Sequence, residues 1–343
     1  MRIETGTWFA RGAGFALGVG LVLGLAMLAI AGAEVLLLVF LAVLLGAALE
    51  PVVGSIRDRT GLPRWVGILV VYAVFLGIVA GLAVFVVPAA ISELGPAIGR
   101  LPAFLEYLRG VALNLRPQAV SEGVSALITA VERLVEPGPP PTPDAVVSLS
   151  ITAVSGLAAV LTLLFLVFFW LTERPRLQRY ALAFLPLPRR EGVRDGWNEV
   201  EARLGLWVRG QLILMGALGL AAGIAYSLIG LPGALFLALF AALAEVVPMV
   251  GPLIGAVPAL LTATTISPLT AFLTLAVYIA LQLVEGNVLV PIVMRNSVGL
   301  SPFLVLVSIL VGWTAGGPLG AVVAVPLVAG VEVVLERLQD RET

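Results

Sequence analysis

EVVPMVGPLIGAVPALL, residues 245–261, sets three prolines and two glycines beside one glutamate inside a run that is otherwise hydrocarbon. Backbone in lipid must satisfy its own hydrogen bonds. Proline removes a donor and glycine permits turns closed to other residues. Sixty-six residues after Gly251 the pattern recurs as GPLGAVVAVPL, residues 317–327. Both copies belong to longer units, 229–261 and 298–327, that begin with Gly-Leu and a proline. Each runs apolar for about four helical turns, breaks at Gly-Pro-Leu and resumes through Gly-Ala-Val.

Length decides what the break does. Each arm has about 15 residues, so at 1.5 Å per residue it reaches roughly 22 Å, short of the ~30 Å hydrocarbon thickness. Two arms in line would be about 50 Å, too long for one untilted span. Two arms that enter from one face and turn at depth fit better, and non-helical backbone at that depth must face protein or water. The reading is therefore a pair of re-entrant hairpins whose tips line a cavity. Two proline-kinked helices with close-packing glycines are the alternative.

The rest of the chain supplies a membrane setting. Of 343 residues 60% are hydrophobic and only 12% charged, with a mean hydropathy of +1.10. Spanning helices are predicted at about 11–31, 34–50, 64–88, 146–172, 207–229 and 269–290. No polar–apolar alternation suggests a barrel. One spanning helix precedes each hairpin. If the first hairpin dips from outside, the next helix runs inward and the second dips from inside, giving an inverted repeat of the kind that builds secondary transporters. The fold class is thus all-α: a polytopic helical membrane protein with two re-entrant hairpins in an inverted repeat. Its predicted parts are helices in 1–88, an external amphipathic segment 89–145, a helix and cytoplasmic amphipathic segment 146–206, and the two helix-plus-hairpin units 207–268 and 269–343.

Arginine placement sets the orientation. Arg2 and Arg11, then Arg57, Arg59 and Arg64, then eight arginines in 173–209, put those segments and both termini in the cytoplasm. Residues 89–145 hold four arginines against six acids, as an external segment would. Trp8, Trp65, Trp170 and Trp207 fall where spans meet the cytoplasmic interface, a depth tryptophan prefers. RREGVRDGWNEVEARLGLWVRGQ, 189–211, reads as a helix lying on the membrane surface.

Composition also excludes chemistry. With no Cys, no His and all 20 basic residues Arg, thiolate, imidazole and lysine catalysis are absent, as are cofactor and metal sites built on those side chains. The only Asp residues, Asp58, Asp144, Asp195 and Asp340, lie in polar segments, so an intramembrane aspartyl enzyme does not fit. Net charge of -1 argues against a nucleic-acid partner.

Four stretches resemble the autoinducer-two exporter family of bacterial permease-like proteins, the AI-2E transporters. They are WVRGQ (207–211), GLPGALFLALFAALAEVVPMVGPLIGAVPA (230–259), EGNVLVPIVMRNSVGLSPFLVLVSIL (285–310) and GGPLGAVVAVPL (316–327). The resemblance implies a protein of the bacterial cytoplasmic membrane that exports small polar solutes. It also implies a homo-oligomer, with a pentamer as one candidate, and sodium or lithium/proton antiport as the alternative activity.

Ionisable groups at membrane depth are functional candidates. Glu245 at the first tip and Glu285 before the second unit could bind a proton or Na+, or hold a polar solute. They could instead pair with Arg209 or Arg295. Gln211, Gln282 and Asn287 could orient a small polar solute or join helices. Pro248, Gly251, Pro252 and Gly255 shape the first tip, and Gly316, Gly317 and Pro318 the second, with Trp313 beside it as a gate or a packing residue.

Overall fold

The computed structural model describes residues 4–112, 129, 143–295 and 299–339, and among them every regular element is helical. The α-helices of the described residues are α1 (Glu4–Ala31), α2 (Ala33–Thr60), α3 (Arg64–Ala112), α4 (Pro143–Ala183), α5 (Leu187–Ile229), α6 (Ala234–Ala244), α7 (Gly251–Thr264), α8 (Pro268–Val284), α9 (Val290–Val293) and α10 (Pro302–Gln339). A π-helical segment, Glu285–Leu289, joins α8 to α9. Among the described residues six helical stretches are long and apolar enough to cross a bilayer, one of them the 302–337 stretch that breaks at Gly316 and Gly317. The chain is a multi-pass membrane protein.

Three clusters hold the helices together. Ala42 and Val53 of α2 pack with Ile68 of α3 and with Val167 and Leu171 of α4. Leu44 and Ala48 of the same helix pack with Leu204, Trp207 and Val208 of α5 and with Ile309, Val325 and Val333 of α10. The far half of α5, through Ala222 and Tyr226, packs on Leu237, Ala238 and Ala259 of α6 and α7. Helix α5 therefore touches both later units and α2. Within lipid, such contacts depend on close fit more than on water exclusion, which favours small residues. A Cβ on Gly205 of α5 would stand 2.6 Å from the carbonyl oxygen of Ala47, and one on Gly46 of α2 would stand 2.5 Å from the indole of Trp170.

Several boundaries differ from the sequence reading. Helix α3 does not stop near residue 88 but continues to Ala112. Most of the remainder of the expected external segment, 113–128 and 130–142, lies outside the described residues. The stretch 189–211 is not a separate surface helix. It is the first half of α5, which runs 43 residues without a break. Its glycines do not interrupt it because they are contact points: Gly205 meets Ala47, and Gly210 lies under Met294. Two of the tryptophans expected at the interface also make packing contacts. Trp207 is buried, and Trp170 stacks on Trp197 with ring centroids 6.4 Å apart.

Both Gly-Pro elements reverse the chain. Helices α6 and α7 lie against each other so closely that a Cβ on Gly255 would sit 2.8 Å from Cα of Ala241, and one on Gly251 would sit 2.8 Å from Cα of Glu245. In α10 the helical path breaks at Gly316 (φ -148°, ψ 24°) and Gly317 (φ 58°, ψ -143°). Beyond them Ala324 returns to Gly312, whose added Cβ would be 2.6 Å from the Ala324 methyl.

Candidate functional site

The six residues between α6 and α7, Glu245 to Val250, form a tight turn. Val250 N–H donates to the Pro248 carbonyl at 2.8 Å, closing a three-residue ring around Met249, and Gly251 N–H donates to Val247 O at 2.8 Å. Met249 takes φ 65°, the one described residue other than glycine with a positive φ. Such turns are rare and strained, and persist only where the surroundings hold them. Gln211 of α5 does part of that holding. Its side-chain nitrogen donates to the Glu245 carbonyl oxygen at 2.6 Å, in a fully buried contact.

The turn forms one wall of a cavity of about 570 Å³. Trp207, Gln211 and Leu214 line it from α5. Glu245, Pro248, Met249 and Pro252 line it from the turn and the start of α7. Gln282, Glu285 and Arg295 line it from α8 and the segment beyond, and Leu300, Val305 and Val325 close it. Glu245 is 3% exposed, Gln211 5% and Glu285 9%. Glu245 and Glu285 line the same cavity, and Gln282 donates to Oε2 of Glu285 at 2.8 Å.

Glu285 reaches this wall because the helix is locally overfilled. The π segment carries one extra residue per turn, with Val290 N–H bonded to the carbonyl of Glu285 itself. Such insertions recur at functional sites because they re-aim side chains without ending the helix. The sequence gives only a faint sign of it, a Glu-Gly-Asn triplet in an apolar run.

Of the residues singled out from sequence, Gln211, Glu245, Pro248, Pro252, Gln282 and Glu285 share this cavity. Gly251 and Gly255 are buried where α7 crosses α6. Asn287 faces away, exposed, with its amide bonded to Leu283 O of its own helix at 2.9 Å. The second Gly-Pro element does not line the cavity. Gly316 abuts Leu37 of α2, and Trp313 is 57% exposed. The anticipated arginine pairing is also absent: Arg209 donates to Ala48 O at 3.2 Å, and among the described residues no ion pair involves Glu245 or Glu285. Trp207, Met249 and Glu201 were not singled out as site or network residues. Glu201, buried in α5, accepts from Arg174 at 2.7 Å and from Trp170 at 3.3 Å. Its signal was the acidic residue in NEVEARLGLW, hidden among exposed charges.

Comparison with known proteins gives this arrangement a family. The AI-2E family transporter profile matches residues 19–340. The chain belongs to that family. YrrI of Bacillus subtilis, provisionally named a transport protein, is 29% identical over 277 residues, covering 80% of this chain and 78% of its own. PerM of Escherichia coli, provisionally named a permease, is 29% identical over 284 residues, 81% and 80% of the two chains. A shorter match, 41% over 68 residues and 20% of each chain, joins this AI-2E member to the AI-2 transport protein TqsA of E. coli. Membrane transport is the shared theme of these names, as expected from the resemblance read in the sequence.

Proposed function

We propose that this protein is a secondary transporter of the bacterial cytoplasmic membrane that exports a small polar organic solute by alternating access. The observation that carries the reading is the convergence of Gln211 from α5, Glu245 from the α6–α7 turn, Gln282 from α8 and Glu285 from the π segment on one cavity in a chain with few intramembrane charges. Its volume, about 570 Å³, falls within the ~300–1,000 Å³ typical of small-molecule sites. The name of TqsA, the relative matched over 20% of each chain, gives AI-2 as what that protein transports.

The mechanism follows from how the cavity is walled. Helices α6 and α7 have 11 and 14 residues, so at 1.5 Å per residue they reach roughly 16 and 21 Å, too short to span ~30 Å of hydrocarbon. A re-entrant hairpin accounts for both the lengths and the polar turn. The second unit is unequal. Its incoming arm, residues 302–315, is about as short, but its outgoing arm from Pro318 to Gln339 reaches roughly 33 Å and can span. The two units, each introduced by one spanning helix, form an imperfect inverted repeat, and movement of the first hairpin turn relative to α5 and the π segment opens the cavity to alternate sides. Both termini lie in the cytoplasm, and the working form is a homo-oligomer in the bilayer.

Two measurements test this. Single cysteines replacing Asn296 and the exposed Ile266, in a chain that has no native cysteine, are labelled in intact cells with an impermeant thiol reagent. Re-entrant hairpins put position 266 outside and 296 inside, whereas continuous kinked spans put them the other way round. Purified protein in liposomes is then assayed for saturable counterflow of labelled small polyols and furanoses. Linear, non-saturating flux would mean a channel, and no flux across the panel would overturn the solute class.

A further inference from the structure

Two buried carboxyl groups that line one cavity, with no ion pair to either among the described residues, need something positive between them. Glu245 sits on the strained turn between α6 and α7, and Glu285 on the π segment after α8. Each is at least nine-tenths buried, and both face the cavity. The other charged or titratable groups nearby do not neutralise them. Arg295 lies on the cavity wall without an ion pair to either among the described residues. Tyr226 of α5 and Tyr278 of α8 are the tyrosines on the two helices that bring Gln211 and Gln282 to the cavity, and neither carries a positive charge. The amide of Gln282 takes one oxygen of Glu285, and the amide of Gln211 goes to the Glu245 backbone rather than its carboxyl. Gln211 itself, 5% exposed, stands on the same cavity wall.

We propose that Glu245 and Glu285 together bind one shared proton, and that this proton is the coupling ion of the transport cycle. The coupling role rests on the transport reading above; the binding does not. A proton from cavity water forms an O–H bond to one carboxylate oxygen, and the other carboxylate accepts the hydrogen bond. On the opposite side of the membrane that O–H bond breaks and the proton returns to water. A metal ion fits less well. It needs several free oxygens, and among the described residues no group of three or more acidic, histidine or cysteine side chains gathers.

The arrangement makes the proton a latch. While it is present, an O–H···O bond ties the hairpin turn to the π segment. Once it leaves, two like charges face each other and push apart. The element displaced is the one already strained at Met249, φ 65°, so releasing the contact frees the wall that must move for the cavity to change sides.

The test is infrared spectroscopy of the full-length protein in liposomes, with no solute present. The expected result is a protonated-carboxyl C=O band that shifts in D2O and fades as pH rises. It should be lost in both Glu245→Gln and Glu285→Gln and retained, moved in frequency, in Glu245→Asp. Glu332→Gln should leave it unchanged. Absence of the band in the unmodified protein overturns the proposal without reference to any variant. So does survival of the band in both glutamine variants, and so does saturable binding of labelled Na+ that both variants lose. A band with these properties alongside absent counterflow would sink the transport reading and leave the proton site standing. Counterflow with no band would do the reverse.

Discussion

The two Gly-Pro elements are nearly the same word in the sequence and do different work. The first is spread over six residues, holds a glutamate, and is tied to α5 through Gln211. The second reverses in two glycines, Gly316 and Gly317, and rests on Leu37 of α2. Between the arms of the second lies a cavity of about 350 Å³ lined by aliphatic side chains and Ser308, whose hydroxyl is already spent on Leu304 O. Glycine and proline set where a chain bends. The neighbouring helix decides whether the bend carries polar chemistry.

Four substitutions probe that contrast, from the largest expected effect to the smallest. Gly251→Val should abolish counterflow while leaving membrane insertion intact, because its side chain has to enter the space of Ala244 and Cα of Glu245, which a Cβ alone already approaches to 2.8 Å. Equal flux in this variant and the unmodified protein would break the claim that the first turn is the working one. Gln211→Leu keeps the volume but strands the Glu245 carbonyl, a loss of ~1–3 kcal/mol for a buried unpaired acceptor. It should lower counterflow more than tenfold, with a modest drop in thermal midpoint. Gly317→Ala meets nothing within 4 Å, so its cost is backbone strain alone, on the order of 1–3 kcal/mol. It should destabilise the protein in a thermal melt while leaving the pH dependence of flux in place. Asn287→Ala, exposed and bonded only to its own helix, should change neither flux nor stability beyond about 0.5 kcal/mol. A large effect there would move the site away from the cavity described.

Much of the fold was legible because hydropathy and proline spacing are strong local signals. The reversals at 245–250 and 316–317, the shortness of α6 and α7, and the presence of Glu245, Gln211, Gln282 and Glu285 in the second half of the chain could all be read from residue order. What could not be read depended on partners distant in sequence. Gly205 and Gly210 look like breaks in α5 until Ala47 and Met294 are seen against them. That Trp207 packs in one cluster with Leu44 and Val325 is not visible in residue order. The π segment changes the phase of a helix by one residue, a shift that composition does not record. Expecting both tips at one cavity took equal wording to mean equal surroundings.

Helix α5 begins among charges and ends at the first hairpin without a joint. Near its start, Glu199 accepts from Arg203 and from Arg337, and Arg203 also holds Glu336 at 2.9 Å. Gln211 stands 12 residues along the same rod, roughly 18 Å away at 1.5 Å per residue. Exposed ion pairs of this kind weaken as electrolyte rises. The unbroken helix that brings Gln211 to the hairpin turn is therefore anchored near its charged end by contacts that hold more tightly in dilute than in concentrated salt.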